Sequence, residues 1–328
     1  MTLLIIAIVL ALLFDFLNGM NDAANSVATI VSTRVLSPRL AVVWATVFNF
    51  VAVFIFGVHV ADTMGRGIVD PKIIDVPMIL VTLISAIIWT HACTQMGFPI
   101  SVSHALVGGL VGAGVAKAGF GVVVVSGVAK VVLFIVLSPL LGLFLGYGFM
   151  IAVFWIFRRS TPRHMDRWFR KLQLVSAAFY SMGHGANDAQ KTMGIIAILL
   201  FSTGQLGDTF YVPFWVVISC YSAISLGTLL GGWQVIRTLG MRMTKLKPVH
   251  GFCANASAAA TIIFSSLLGV PVSTTHTITG AIIGVGATTK FSAIRWGIAY
   301  KIIWAWVLTI PTTALFAGLL WYLYTAIR

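Results

Sequence analysis

The chain is 328 residues long, 59% hydrophobic and only 9% charged, with a mean hydropathy of +1.02. Soluble domains carry about 25% charged residues, so a large water-soluble core is excluded and a polytopic helical membrane protein is indicated. The net charge of +13 comes from 21 Lys+Arg against eight Asp and no Glu. These bases gather in short loops, so the excess reads as membrane topology and not as nucleic-acid binding.

The N-terminus has no basic leader and no clear cleavage site, so Met1 onward reads as a first span. Apolar stretches near the roughly 20 residues needed to cross a bilayer then recur. Five fall in the first half, at 3–33, 39–61, 77–96, 98–117 and 128–157, and five in the second, at 172–201, 211–236, 248–268, 270–289 and 293–326. The reading is a first repeat over 1–157, a linker over 158–171 and a second repeat over 172–328. The linker holds Arg158, Arg159, Arg163, Arg167, Arg170 and Lys171, which places it in the cytoplasm, in reach of anionic lipid. Five passes per half, an odd number, invert the second copy and leave both termini outside. Fourteen Lys/Arg then lie in inside loops and five outside, with Lys191 and Lys301 within spans. The expected fold is all-α, with two inverted-topology repeats, discontinuous helices and Ser/Thr-rich half-helix turns.

Two motifs occur twice in the same order. Gly19-Met20-Asn21-Asp22-Ala23-Ala24-Asn25-Ser26 is echoed 166 residues later by Gly185-Ala186-Asn187-Asp188-Ala189-Gln190-Lys191-Thr192. The glycines predict helix breaks there, whose freed carbonyls can bind a cation. A bare carboxylate at a membrane helix centre costs roughly 2.5–3.5 kcal/mol, so Asp22 and Asp188 call for a cation, a proton or a partner. Asn21, Asp22 and Asn25 share one helix face. With Asn187 and Asp188 they offer hard oxygen ligands suited to Na⁺. Lys191 either answers an anionic substrate or pairs with Asp188. The plain alternative is that these polar groups cap helices and bond between spans. Asp15, on the same face as Asp22, is either a proton or ion site or a buried hydrogen-bonded acid.

The second motif, Pro99-Ile100-Ser101-Val102-Ser103-His104, returns after 172 residues as Pro271-Val272-Ser273-Thr274-Thr275-His276. Proline ends one helical segment and Ser/Thr cap the next, leaving a helix N-terminus whose amides and hydroxyls suit an anion. Ser101, Val102, Ser103, Ser273, Thr274 and Thr275 are therefore candidate oxyanion ligands. His104 and His276 can touch substrate, take a proton or bond a neighbouring helix, the last being preferred. The following Gly108, Gly109, Gly112, Gly114, Gly280, Gly284 and Gly286 predict close helix contact. Cys93, Cys220 and Cys253 show neither metal spacing nor a disulfide framework.

Together the four motifs resemble the inorganic phosphate transporter (PiT) family of sodium- or proton-coupled symporters, over nearly the whole chain. The resemblance implies phosphate uptake through the cytoplasmic membrane of a prokaryote, with Na⁺ or H⁺ as coupling ion and no cofactor. It implies ion and phosphate sites at Asn21, Asp22, Asn25, Asn187, Asp188, Gln190 and Lys191 and at the Ser/Thr turns. A homodimer and a separate PhoU-like regulator are further expectations, since the large cytoplasmic loop of some relatives is missing. Another oxyanion such as sulfate or arsenate fits the same donors, and an anion channel is a different class. An enzyme is not expected: without Glu there is no His-Glu-x-x-His motif, and there is no Gly-x-Ser-x-Gly elbow.

Overall fold

A computed structural model describes residues 1–289 and 291–327, and of Arg66, Met241, Arg242 and Ala293 the backbone alone. Among the described residues twelve α-helices follow one another: α1 Thr2–Ser32, α2 Pro38–Val51, α3 His59–Arg66, α4 Val76–Met96, α5 Val102–Ala118, α6 Val125–Ile156, α7 Pro162–Ser202, α8 Phe214–Leu230, α9 Trp233–Arg237, α10 Pro248–Leu267, α11 Thr274–Ala287 and α12 Trp296–Ile327. Each half runs through the same series. A long helix carrying Asn-Asp is followed by a bent pair, a helical hairpin and a long helix with an internal proline, Pro139 in α6 and Pro311 in α12. The bends are 87° between Pro38–Phe54 and His59–Gly65, and 63° between Phe214–Leu230 and Trp233–Gly240.

Among the described residues four helices are long and apolar enough to cross a membrane, or six if each bent pair is one span. Helices α7 and α10 fall outside that set because their middles carry buried polar groups. Helix α11, with 14 residues, is about 21 Å long against a hydrocarbon core of about 30 Å, so it does not cross alone.

The hairpins follow from local chemistry. Helix α4 stops at Gly97 and the chain after α10 turns at Gly269, with φ of +74° and +67°, a backbone region that glycine enters without a Cβ clash. The next helices start on hydroxyl caps: Ser101 Oγ accepts from the His104 N–H at 3.3 Å, and Ser273 Oγ from the His276 N–H at 3.2 Å. The mouth of the first hairpin is closed by a Lys117–Asp75 pair at 2.5 Å and by Lys117 Nζ donating to Ile73 O at 2.6 Å. The mouth of the second is closed by the Arg295 N–H on Met243 O at 3.1 Å. Each hairpin thus leaves and returns at one end. The tips touch inside the molecule, where Thr275 Oγ1 donates to Ile100 O at 3.0 Å.

The Asn-Asp segments depart from expectation. Helices α1 and α7 run without interruption through Asn21-Asp22 and Asn187-Asp188, so the predicted discontinuities at Gly19 and at Gly183–Gly185, and the free carbonyls they would expose, are absent. The glycines serve close packing instead. A Cβ on Gly19 would lie 2.0 Å from Ile224 O of α8, and one on Gly185 2.7 Å from Asn49 O of α2. The helical hydrogen bonds stay intact because neighbouring backbones press on bare Cα atoms. The interruptions fall in the α2/α3 and α8/α9 pairs and at the hairpin tips. Helices α1 and α7 run antiparallel: Thr33 Oγ1 meets Gln173 Oε1 at 3.0 Å, His184 lies between Asp22 and Asp188, and Asp15 stands by Thr192.

Candidate functional site

The middles of α1 and α7 and the two hairpin tips bring one polar cluster into the interior. Asp22, His184, Asp188, Lys191, Thr274 and Thr275 are each at most 2% exposed. The ligand atoms of Asp22, His184 and Asp188 lie within 4.8 Å of one another. Every member is shut away from solvent, so the conformation is an occluded one.

Lys191 is fully engaged. Its three ammonium protons have three acceptors: Ser103 Oγ at 2.6 Å, Val272 O at 2.7 Å, and Asp188 Oδ1 in a direct ion pair. The other oxygen of Asp188 accepts from Thr274 Oγ1 at 3.0 Å and faces His184 Nε2 at 3.2 Å. Asp22 is less well served. Thr275 Oγ1 lies 3.1 Å from its Oδ1, but that hydroxyl has Ile100 O as an equally close acceptor. Oδ2 has only distant neighbours, Thr274 Oγ1 at 3.5 Å and His184 Nε2 at 3.8 Å.

The inequality traces to a single difference between the repeats. Position 191 corresponds to Asn25 in the first copy. Both side chains reach the matching hydroxyl on the hairpin tip of the opposite half: Lys191 to Ser103, and Asn25 Nδ2 to Thr275 Oγ1 at 2.9 Å. Asp188 therefore has an ammonium beside it where Asp22 has a neutral amide. Two carboxylates and one ammonium leave the cluster one negative charge in excess, with His184 neutral. The deficit sits on Asp22.

The other asparagines repeat a second device. Asn21 Nδ2 donates to Thr94 Oγ1 at 2.6 Å, and Asn187 Nδ2 to Ser266 Oγ at 2.9 Å, the two acceptors being 172 residues apart. Thr94 gives its own proton to Thr90 O at 2.8 Å, so it can only accept from Asn21, which fixes the amide orientation. The carbonyl oxygens Asn21 Oδ1, Asn25 Oδ1 and Asn187 Oδ1 are left buried and without a partner among the described residues. Removing the anchor should loosen this arrangement. Thr94→Val, and equally Ser266→Ala, is expected to lower stability by about 1–2 kcal/mol through an unsatisfied buried N–H, read as a lower unfolding midpoint in detergent.

The remaining predicted residues divide. Ser101 and Ser273 are caps, and Val102 opens α5, all three buried at the tips. Gln190 is spent elsewhere: its Oε1 accepts the Val60 N–H at 2.9 Å and so caps the start of α3. His104 and His276 face each other edge to face at 4.9 Å, and His276 stacks on Trp306 at 3.7 Å. His276 Nδ1 lies 3.4 Å from Ile135 O, a bond to a neighbouring helix. Asp15 is two turns from the cluster. His184 at its centre escaped the sequence reading, although its position four residues before Asp188 puts both on one face of α7. Asn49 holds it in place through an Oδ1 contact to His184 Nδ1 at 3.2 Å.

Comparison with known proteins agrees with this geometry. A probable low-affinity inorganic phosphate transporter of Rhizobium meliloti (strain 1021) is 56% identical over 98% of this chain and 96% of its own length. Its counterpart in Bacillus subtilis (strain 168) is 39% identical over 98% of this chain and 97% of its own length. A solved structure described as the sodium-dependent phosphate transporter superposes with a TM-score of 0.89 at 28% identity, covering 100% of both chains. The family model for the phosphate transporter family matches residues 18–317. The chain is thus an integral membrane transporter and not an enzyme, and it belongs to the phosphate transporter family.

Proposed function

We propose that the protein imports inorganic phosphate across the cytoplasmic membrane by symport with Na⁺, alternating access around the cluster between two inverted repeats. One observation carries this reading: each Asn-Asp helix bonds the hairpin tip of the opposite half, Asn25 to Thr275 and Lys191 to Ser103. A site so shared opens or closes as the halves rock. The antiparallel course of α1 and α7 and the tip-to-tip contact of the hairpins support an inverted arrangement with the tips near mid-membrane.

Charge sets the order of events. An inside-negative potential opposes divalent phosphate by roughly 4.6 kcal/mol at 100 mV, about 2.3 per charge. Two Na⁺ cancel that charge. The first belongs at Asp22, whose carboxylate lacks a cation and whose neighbours Asn21 and Asn25 present free carbonyl oxygens. A second Na⁺ at Asp188 and Asn187 replaces Lys191 as the counter-charge and releases the ammonium. Phosphate is then held by Lys191, by the hydroxyls of Ser103, Thr274 and Thr275, and by the N-termini of α5 and α11.

Phosphate uptake into proteoliposomes under imposed gradients tests the reading. An inward Na⁺ gradient is expected to drive accumulation, and tenfold excess sulfate to leave it unchanged. Uptake that follows only a proton gradient would assign H⁺ as coupling ion, and sulfate competition would favour a general oxyanion carrier.

A further inference from the structure

Asp15 is completely buried, and neither of its carboxylate oxygens has a hydrogen-bond partner among the described residues. No other protein carboxylate in the interior is so bare. Asp188 has Lys191, and Asp22 has two threonines nearby. An uncompensated carboxylate in a protein interior costs several kcal/mol, so a cation must be supplied from somewhere.

What surrounds it is oxygen. Asn18, one turn further along α1, and Thr192, next to Lys191 on α7, stand beside the carboxyl, yet neither makes a well-formed hydrogen bond to it. Tyr221 and Cys220 of α8 face it from the third side. Asn18 Oδ1, Thr192 Oγ1 and Tyr221 Oη are themselves buried without partners. Three helices therefore converge on one spot with five oxygen atoms that bond to nothing, in a chain where most buried polar atoms are paired. A carboxylate with amide and hydroxyl oxygens is a hard ligand set for a small cation, and the single thiol is the soft exception. The spot is separate from the central cluster. Seven helical residues put Asp15 about 10 Å from Asp22 along α1, and Thr192 is displaced from Asp188 in the same direction because α7 runs the other way.

We propose that Asp15, Asn18, Thr192 and Tyr221 form a third Na⁺ site, distinct from the two in the central cluster. It rests on the symport reading above and adds to it a consequence for energetics. Two Na⁺ make the import of divalent phosphate electroneutral. A third gives each cycle one net positive charge and lets the membrane potential drive accumulation. The first repeat alone supplies the acid, since its counterpart in the second is Ser181, so the site has no symmetric twin.

The test pairs binding with transport. Equilibrium binding of ²²Na⁺ to purified protein with saturating phosphate is expected to give three ions for the wild type and two for Asp15→Asn. In proteoliposomes an inside-negative potassium diffusion potential should speed wild-type uptake several-fold and leave Asp15→Asn uptake unchanged. Should Asp15→Asn fail to fold, Thr192→Val keeps the acid and is expected to raise the half-saturating Na⁺ concentration about tenfold. Equal ²²Na⁺ counts in wild type and Asp15→Asn, with the voltage response intact, overturn the site. So does a lost voltage response with an unchanged Na⁺ count, which assigns the charge to a proton. Wild-type uptake indifferent to Na⁺ is a separate result that removes the symport reading itself.

Discussion

Asp188→Asn is expected to abolish phosphate uptake, by more than about 100-fold or 2.7 kcal/mol of barrier, and to lower stability by about 3–5 kcal/mol. The two losses have different causes. Lys191 is about 1% exposed and has its three protons on Asp188, Ser103 and Val272. Neutralising Asp188 leaves a buried ammonium without its counter-charge, and that is the stability loss. The transport loss comes from removing a carboxylate that has to exchange Lys191 for Na⁺. The double change Asp188→Asn with Lys191→Met separates them. A buried ion pair replaced by neutral groups of similar volume is often neutral or stabilising, so the double variant should recover most of the lost stability. Its uptake should stay at background, because phosphate has lost its only buried ammonium. Unfolding midpoints in detergent and uptake in proteoliposomes give the two readouts. A double variant as unstable as Asp188→Asn alone would show that the pair is not what holds this region.

The duplication was legible because polar residues in apolar surroundings stand out. Asn21-Asp22 against Asn187-Asp188, and Ser101 against Ser273, share an offset and an order, and the structure brings all of them to the two long helices and the two tips. The exchange of Asn25 for Lys191 was legible too, and the pairing of Lys191 with Asp188 was one of its two readings. Helix continuity was not. A glycine beside an Asn-Asp pair reads the same whether the helix breaks there or a neighbouring backbone presses on it, and only the Ile224 and Asn49 carbonyls decide between them. Gln190 shared the motif but not its direction, since one position along a helix turns a side chain by 100° and sent this one to the start of α3. His184 was hidden by its ordinariness: a lone histidine on an apolar face gains meaning only when Asp22 arrives from another helix. The anchors Thr94 and Ser266 were illegible for the same reason. They lie far along the chain and carry no local signal.

Gly280→Ala should cost about 2–4 kcal/mol and cut phosphate uptake about tenfold, although residue 280 touches no ligand. A Cβ there would lie 2.0 Å from Pro139 O and 2.9 Å from Pro139 Cα. Both are backbone atoms of α6, so no side-chain rotation relieves the clash and α11 must retreat. The loss is of the overpacking kind, for which inserted methyl groups cost typically 1–3 kcal/mol and occasionally more. Retreat of α11 carries Thr274 and Thr275 with it, because both open that helix. Thr274 is a hydrogen-bond donor to Asp188, and Thr275 receives Asn25 and donates to Ile100, so a shift of about 1 Å exceeds what these bonds absorb. Gly148 is the control. It lies on α6 with nothing within 4 Å of its would-be Cβ, and Ala there should be neutral or stabilise by up to about 1 kcal/mol through helix propensity. Thermal unfolding of both variants, with uptake measured on the same reconstituted samples, gives the comparison. Gly280→Ala with wild-type stability and uptake would mean that α6 and α11 are free to part, and that the hairpin tip is not positioned by this contact.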